Sequence, residues 1–169
     1  ILGSYAWTFG KTLNWGAGGS SRWPEARPYR GHPSSQDQRG FRAFDWYQEI
    51  ARTRLGKPLP VMLFQAGLRQ DPLANFPSTS SSQEANILLA VGKLLADEPA
   101  RDPGSDSIPL APLPREVIAG FFWLLSATSF SPSLSQAWFL QDGAHSPLVD
   151  PWLQWMGEKL KFKKPDPTS

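Results

Sequence analysis

The chain has 169 residues, 40% of them hydrophobic and 19% charged, with a formal net charge of +2. That balance is globular, fits one domain, and is too weakly basic to argue for nucleic acid or an anionic membrane as partner. There is no cysteine, which excludes disulfides and thiolate metal sites, and no stretch approaches the roughly 20 apolar residues of a membrane helix.

Residues 1–8, Ile1-Leu-Gly-Ser-Tyr-Ala-Trp-Thr8, read as a first strand. It opens without an initiator Met or a charged leader, as a piece of a longer polypeptide would. Residues 9–37 form a long polar loop rich in Gly, Ser, Pro and Arg, a length usual for functional or disordered segments. A helix is expected over 38–55, because Phe41, Phe44, Tyr47, Ala51 and Leu55 fall on one stripe with Arg42, Asp45, Glu49 and Arg52 opposite. Gly56 ends it, and Pro58 and Pro60 prevent its resumption. A second strand follows at 60–66, then a second polar loop at 67–80.

Ser81-Ser-Gln-Glu84 is a capping box for a helix over 83–97, with Ile87, Leu88, Val91, Leu94 and Leu95 at helical spacing. Residues 99–115 hold five prolines and no periodicity, which reads as a surface spacer. The third strand is expected at 116–126. A final helix at 150–160 starts on Asp150-Pro151 and buries Trp152, Trp155, Met156 and Leu160.

The order is β-α-β-α-β-α, with no hairpin signal. The runs Pro60-Val-Met-Leu-Phe-Gln-Ala-Gly67 and Val117-Ile-Ala-Gly-Phe-Phe-Trp-Leu-Leu-Ser126 are almost continuously apolar. Strands of that kind are covered on both faces, which points to a parallel sheet wrapped by helices with right-handed crossovers. Three such units leave sheet edges unpaired, and a complete eight-unit barrel takes about 250 residues. Residues 1–169 are therefore expected to be a single α/β domain, a partial (β/α)8 barrel of three parallel βα units with long βα loops. An open three-layer sheet is the alternative. In either fold the carboxyl ends of the strands line the ligand site, and here those ends carry Gln65 and Trp123.

Other motifs fall away. Gly10-Lys11-Thr12 lacks the glycine five positions earlier that a phosphate loop needs, since Tyr5 stands there. Gly16-Ala-Gly-Gly19 opens no helix and follows no strand directly, so it reads as a flexible loop and not a dinucleotide fingerprint. His32 and His145 have no ligand-spaced partners, so no metal site and no cofactor are expected. There is no Gly-x-Ser-x-Gly elbow and no aromatic-basic stripe of a single-strand nucleic-acid binder. Lys159, Lys161, Lys163 and Lys164 read as a solvated terminus.

Eight Trp and ten Phe are present, and Trp7, Trp15, Trp23, Trp123 and Trp138 fall in loops or at strand ends. Indoles beside polar groups stack on pyranose faces; they also fill gaps under long loops. Together, Leu63-Phe64-Gln65-Ala66-Gly67, the strand carrying Phe122-Trp123 and the aromatic loops resemble strands six to eight of the cellulase- and mannanase-like (β/α)8 glycoside hydrolases. Residues 1–8, 60–67 and 117–126 take the places of those strands.

In that family the seventh strand ends in a nucleophilic Glu followed by a small residue and Gly; Gln65 occupies the position here. An amide has neither the charge nor the ester chemistry of that nucleophile, although it can still bond a sugar hydroxyl. The family's acid/base Glu ends the fourth strand, which this chain does not include, and retaining hydrolysis needs the two carboxyl groups about 5 Å apart. The eighth strand supplies a Trp floor under the sugar, here Trp123. The sixth often supplies a His or Tyr, here Tyr5 or Trp7. A glutamine at 65 is also what a substitution made to trap substrate would leave.

The resemblance thus implies a glycoside hydrolase-like pseudoenzyme fragment that binds carbohydrate without hydrolysing it. Gln65 stands in the nucleophile's place, and Trp123, Tyr5, Trp7, Trp15 and Trp138 are the substrate-binding candidates. It implies an oligo- or polysaccharide partner, the N-terminal part of a barrel as a further one, no membrane or nucleic acid, and an extracellular setting. Core packing is the competing role for Tyr5, Trp7 and Trp123. Trp138, Asp142 and His145 read as a rim or a plain turn. Glu25 and Asp37 read as solvated loop carboxylates, and Asp45 lies on the polar face of its helix. A second class of function is a non-catalytic protein-interaction module using an exposed sheet edge and aromatic loops.

Overall fold

The structure, a computed structural model, describes residues 1–26, 36–67, 81–131 and 134–162. Its centre is a three-stranded sheet in the order β1 (Leu2–Trp7), β2 (Val61–Gly67), β5 (Val117–Phe122), with both pairings parallel. The expected helices are present as α2 (Ala43–Leu55), α3 (Ser81–Leu95) and α4 (Asp150–Phe162). One short helix, α1 (Gly19–Arg22), interrupts the first loop. Residues 27–35 of that loop, the second loop at 68–80 and the lysines beyond 162 lie outside the described residues.

The core forms on one face of the sheet. Ala6, Val61, Leu63 and Ala66 meet Phe41 and Phe44 from the first crossover and Ile87, Ala90, Val91 and Leu94 from the second. Both crossovers therefore lie on the same side, giving two layers among the described residues rather than three. Gly120 is what lets α3 approach β5, since a Cβ there would stand 2.6 Å from Leu95 Cδ1. The opposite face carries Tyr5, Phe64 and Phe121, all exposed, with the two Phe rings stacked at 5.4 Å. Gly3 leaves room for the Phe64 ring, 3.1 Å from where its Cβ would be. The expectation that these strands are covered on both faces holds for one face of the described sheet.

Two regions depart from the sequence expectation. Helix α2 starts at Ala43 rather than 38, because Asp37, Arg39 and Gly40 (φ 91°) fold into a turn ahead of it. The proline-rich spacer contains a small antiparallel hairpin, β3 (Arg101–Asp102) and β4 (Ser105–Pro109). Its Asp102-Pro103-Gly104 turn is closed by the Gly104 N–H donating to the Asp102 carboxylate. The segment leaving this hairpin is tied down by side chains from far away. Asn14 donates to the Pro109 carbonyl and accepts from the Ala111 N–H, while Arg42 donates to the carbonyls of Ala111 and Pro112. Similarly, the buried Gln48 amide pairs with both the N–H and the carbonyl of Leu59, fixing the entry into β2.

Helix α4 closes the structure against α3 through aromatic rings. Trp152 meets Phe122, Trp138 and Trp155 at 5.0, 5.8 and 5.1 Å, and its ring occupies the space a Cβ on Gly92 would need. Trp155 donates its indole N–H to Glu98, which also pairs with Lys159. In an open helix Gly92→Ala would gain about 1 kcal/mol of helix propensity. Here Trp152 is walled in on three sides, so overpacking costing about 1–3 kcal/mol should win. Gly92→Ala is expected to lower the urea midpoint, whereas in a Trp152→Ala background the same change should raise it; equal effects in both backgrounds would refute the contact.

Candidate functional site

The carboxyl ends of all three parallel strands meet at one rim of the sheet. At β1 the Thr8 N–H donates to the Gly67 carbonyl, and Trp7 stands opposite Gly67 in the register. At β5 the strand leaves the sheet after Phe122, four residues before the expected end, and Trp123 begins the following loop. Trp7 and Trp123 touch edge to face, with centroids 5.9 Å apart, and the peptide after Trp123 is cis. Trp7 is buried and Trp123 half-buried, so the two indoles form one unit at the rim.

Gln65 lies on the central strand beside them. Its backbone is left-handed (φ 53°), an uncommon conformation for a residue other than glycine, asparagine or aspartate. The pairing registers of β2 with both neighbours shift around this position. The extra residue has a plain consequence: Leu63 and Ala66 both face the core although they are three apart, so Gln65 is displaced from the ordinary alternation. Its side chain is half-buried, and among the described residues no hydrogen bond claims its amide. Such backbone outliers are kept where the surroundings over-determine them, most often at functional sites.

The other sequence candidates are placed as follows. Tyr5 lies on the open face, in register with Phe64 and mostly exposed, and among the described residues no hydrogen bond joins it to Gln65. Trp15 donates its indole N–H to Asp37 at 2.9 Å and carries the Lys11 ammonium 4.3 Å over its ring, which makes it a pin within the first loop. Trp138 stands against Phe122 at 5.1 Å, and its backbone N–H donates to the Leu124 carbonyl. It thus supports the segment just after Trp123 from below. His145 pairs with Asp150 at 2.8 Å, and Asp142 accepts from the Ala144 N–H as a turn residue. Trp7 and Trp123 are brought together with the end of β2; Trp15 and Trp138 have structural partners of their own.

Asp37 of the first loop and Asp45 and Glu49 of α2 are structural, while Glu25 is exposed. Asp37, expected to be solvated, is buried and takes hydrogen bonds from the Arg39 guanidinium, the Arg39 N–H and Trp15. Burial pushes its pKa up, but the Arg39 and Trp15 hydrogen bonds outweigh that and hold it below the ordinary value. Asp45 accepts from Arg42 and from the Gly18 N–H. Glu49 takes the backbone and hydroxyl donors of both Ser20 and Ser21, fastening α1 to α2. Its pKa too is lowered, since those bonds overcome the opposing effect of burial. The role of Glu49 was not legible in the sequence, because Ser20 and Ser21 lie 29 and 28 residues away, and Asp37 takes Trp15 from 22 residues away as well as Arg39 from two. Among the described residues no cluster of His, Asp or Glu is arranged to hold a metal ion, and no helix is long and apolar enough to cross a membrane.

No family model, curated protein or solved structure matches the chain.

Carboxylates with lowered folded-state pKa values stabilise the fold fully above their ordinary range, and that contribution is lost as pH falls through the lowered values. Stability measured by urea should therefore decline below the ordinary glutamate value of 4.5. Glu49→Gln should be less stable than the parent at pH 7 and lose less on acidification. Parallel pH curves for the two proteins would show that Glu49 does not carry this linkage.

Proposed function

We propose that the chain is a segment of a (β/α)8 glycoside hydrolase-like domain whose strand-end rim binds carbohydrate and does not cleave it. The observation that carries the reading is the juxtaposition at the rim: an amide that no described residue hydrogen-bonds, on a left-handed backbone at Gln65, flanked by strands whose ends pair Trp7 with Trp123. Indole surface next to a donor-acceptor group is the chemistry a pyranose needs, since its C–H face and its hydroxyls are presented together. The sequential parallel order with helices on one side supports the barrel-wall part of the reading.

Catalysis is absent for a chemical reason. The amide of Gln65 cannot form a glycosyl ester, and retaining hydrolysis requires two carboxyl groups about 5 Å apart. Asp37, Asp45 and Glu49 are engaged in the loop and helix contacts described above. The setting of such a domain is extracellular polysaccharide, and its ligand is a β-linked glucan or mannan. The competing reading, a protein-interaction module, is favoured by a different feature, the bare apolar face of the sheet.

Titration with β-linked gluco- and manno-oligosaccharides should quench Trp fluorescence saturably, with no release of reducing sugar. Trp123→Ala should weaken binding about tenfold or more, equivalent to ~1.4 kcal/mol, while leaving the thermal midpoint within a few degrees. Gln65→Glu should leave the chain inactive. Absence of quenching across both series, or hydrolysis by the purified chain, would defeat the proposal.

A further inference from the structure

The charged flank of α2 borders a cleft of about 540 Å³, inside the range of about 300–1,000 Å³ usual for small-ligand sites. Arg42, Asp45, Glu49 and Arg52 line it from that flank, Ser20 and Ser21 from α1, and Pro112-Leu113-Pro114 from the spacer. Most of its hydrogen-bonding groups are already spent on one another. Both oxygens of Glu49 are taken by the N–H and hydroxyl donors of Ser20 and Ser21. Asp45 gives Oδ2 to Arg42 Nε and to the Gly18 N–H.

Two guanidinium groups are not fully spent. The Arg42 side chain is only 7% exposed. Its Nε is held by Asp45 and its Nη1 by the carbonyls of Ala111 and Pro112, with the Phe44 ring 5.1 Å from Cζ. Among the described residues nothing accepts from Nη2, and that atom is not among the buried polar atoms left without a partner. The open end of this guanidinium is therefore both solvent-reachable and fixed in place, so little ordering remains to be done when it binds. Arg52, half exposed, faces Glu116 at 3.9 Å, beyond hydrogen-bond length, and such exposed pairs are weak. Ser20 and Ser21 donate their hydroxyl hydrogens to Glu49, which leaves the oxygen lone pairs as acceptors, and Asp45 Oδ1 is a further one.

We infer that this cleft is a binding site for a sugar acid, a polyhydroxylated monocarboxylate such as a uronate. The carboxylate takes charge-assisted bonds from Arg42 Nη2 and Arg52. The hydroxyls donate to the oxygens of Ser20, Ser21 and Asp45, and the C–H surface lies against Pro112-Leu113-Pro114. Charge selects a monoanion: Arg42 and Arg52 are balanced by Asp45 and Glu49 within the lining, and Glu116 stands beside Arg52. A phosphate dianion would meet no net positive field there, and a neutral sugar would leave the two guanidinium groups without an anion. The site lies apart from the strand-end rim and does not rest on the function proposed for it.

The test is a heteronuclear NMR titration of the full chain with glucuronate, its methyl ester, glucose and inorganic phosphate. Glucuronate should shift the amide signals of Gly18, Ser20 and Ser21 saturably, and the ester and glucose should bind at least tenfold more weakly. Arg42 also anchors the spacer, so the variant used is the exposed Arg52→Gln. It should weaken glucuronate binding at least tenfold with unchanged circular dichroism and thermal midpoint. Trp123→Ala should leave the affinity unchanged, which separates this site from the rim. The inference is overturned by the absence of saturable shifts, by an ester that binds as well as the acid, or by phosphate binding more tightly than glucuronate. Binding indifferent to Arg52→Gln, or lost in Trp123→Ala, would overturn it equally.

Discussion

Strands β1 and β5 are held in one sheet through β2, and that central strand is bonded in parallel along both sides. At its amino end the Leu2 N–H reaches Pro60 and the Val61 N–H reaches Glu116; at its carboxyl end the Thr8 N–H reaches Gly67. Because the pairings are parallel and follow chain order, each connection must travel back along the sheet, and here both return on one face. Everything else depends on that arrangement. It puts the core under α2 and α3, gathers the three carboxyl ends at one rim, and leaves Tyr5, Phe64 and Phe121 exposed on the other face.

The rim owes its geometry to a local irregularity in the same strand. Had β2 kept strict alternation, Ala66 would face away from Leu63 and Gln65 would turn into the core. The left-handed residue inserts one extra step, so that Ala66 returns to the core and the amide remains partly accessible. A buried, unpaired amide would cost about 1–3 kcal/mol, which gives the bulge a stabilising purpose whether or not a ligand is present. The amide's position beside Trp7 and Trp123 is what raises the question of a ligand.

Much of this fold was legible in the sequence because its signals are local. Ile87, Val91 and Leu94 announce α3 by spacing alone, and Gly56 with Pro58 and Pro60 marks the end of α2 and the start of β2. What escaped was non-local. Asn14 and Arg42 hold residues 109–112 across gaps of 69 to 97 positions, and nothing in their own neighbourhoods announces it. Strand β5 was read too long because Trp123, Leu124 and Leu125 are as apolar as the strand before them, whereas they actually bend away to meet Trp138 and Phe139. At the rim, Gln65 and Trp123 were recognisable as strand-end residues. The contact between Trp7 and Trp123 was not, because it depends on the register of two strands that never pair with each other.

The two faces of the sheet explain why strand composition alone left the alternatives open. An apolar strand interior is compatible with helices on both sides, or with helices on one side and a closed barrel interior on the other. The sequential order β1-β2-β5 with both crossovers on one face is common to a barrel wall and to one half of a doubly wound sheet, which reverses direction only at its switch point. No reversal occurs among the described strands. On the barrel-wall proposal, the aromatic residues that the helices leave uncovered, Tyr5, Phe64 and Phe121, are the inward residues of a curved wall. That proposal accounts for their exposure and for the edge position of β1 among the described strands by a single winding.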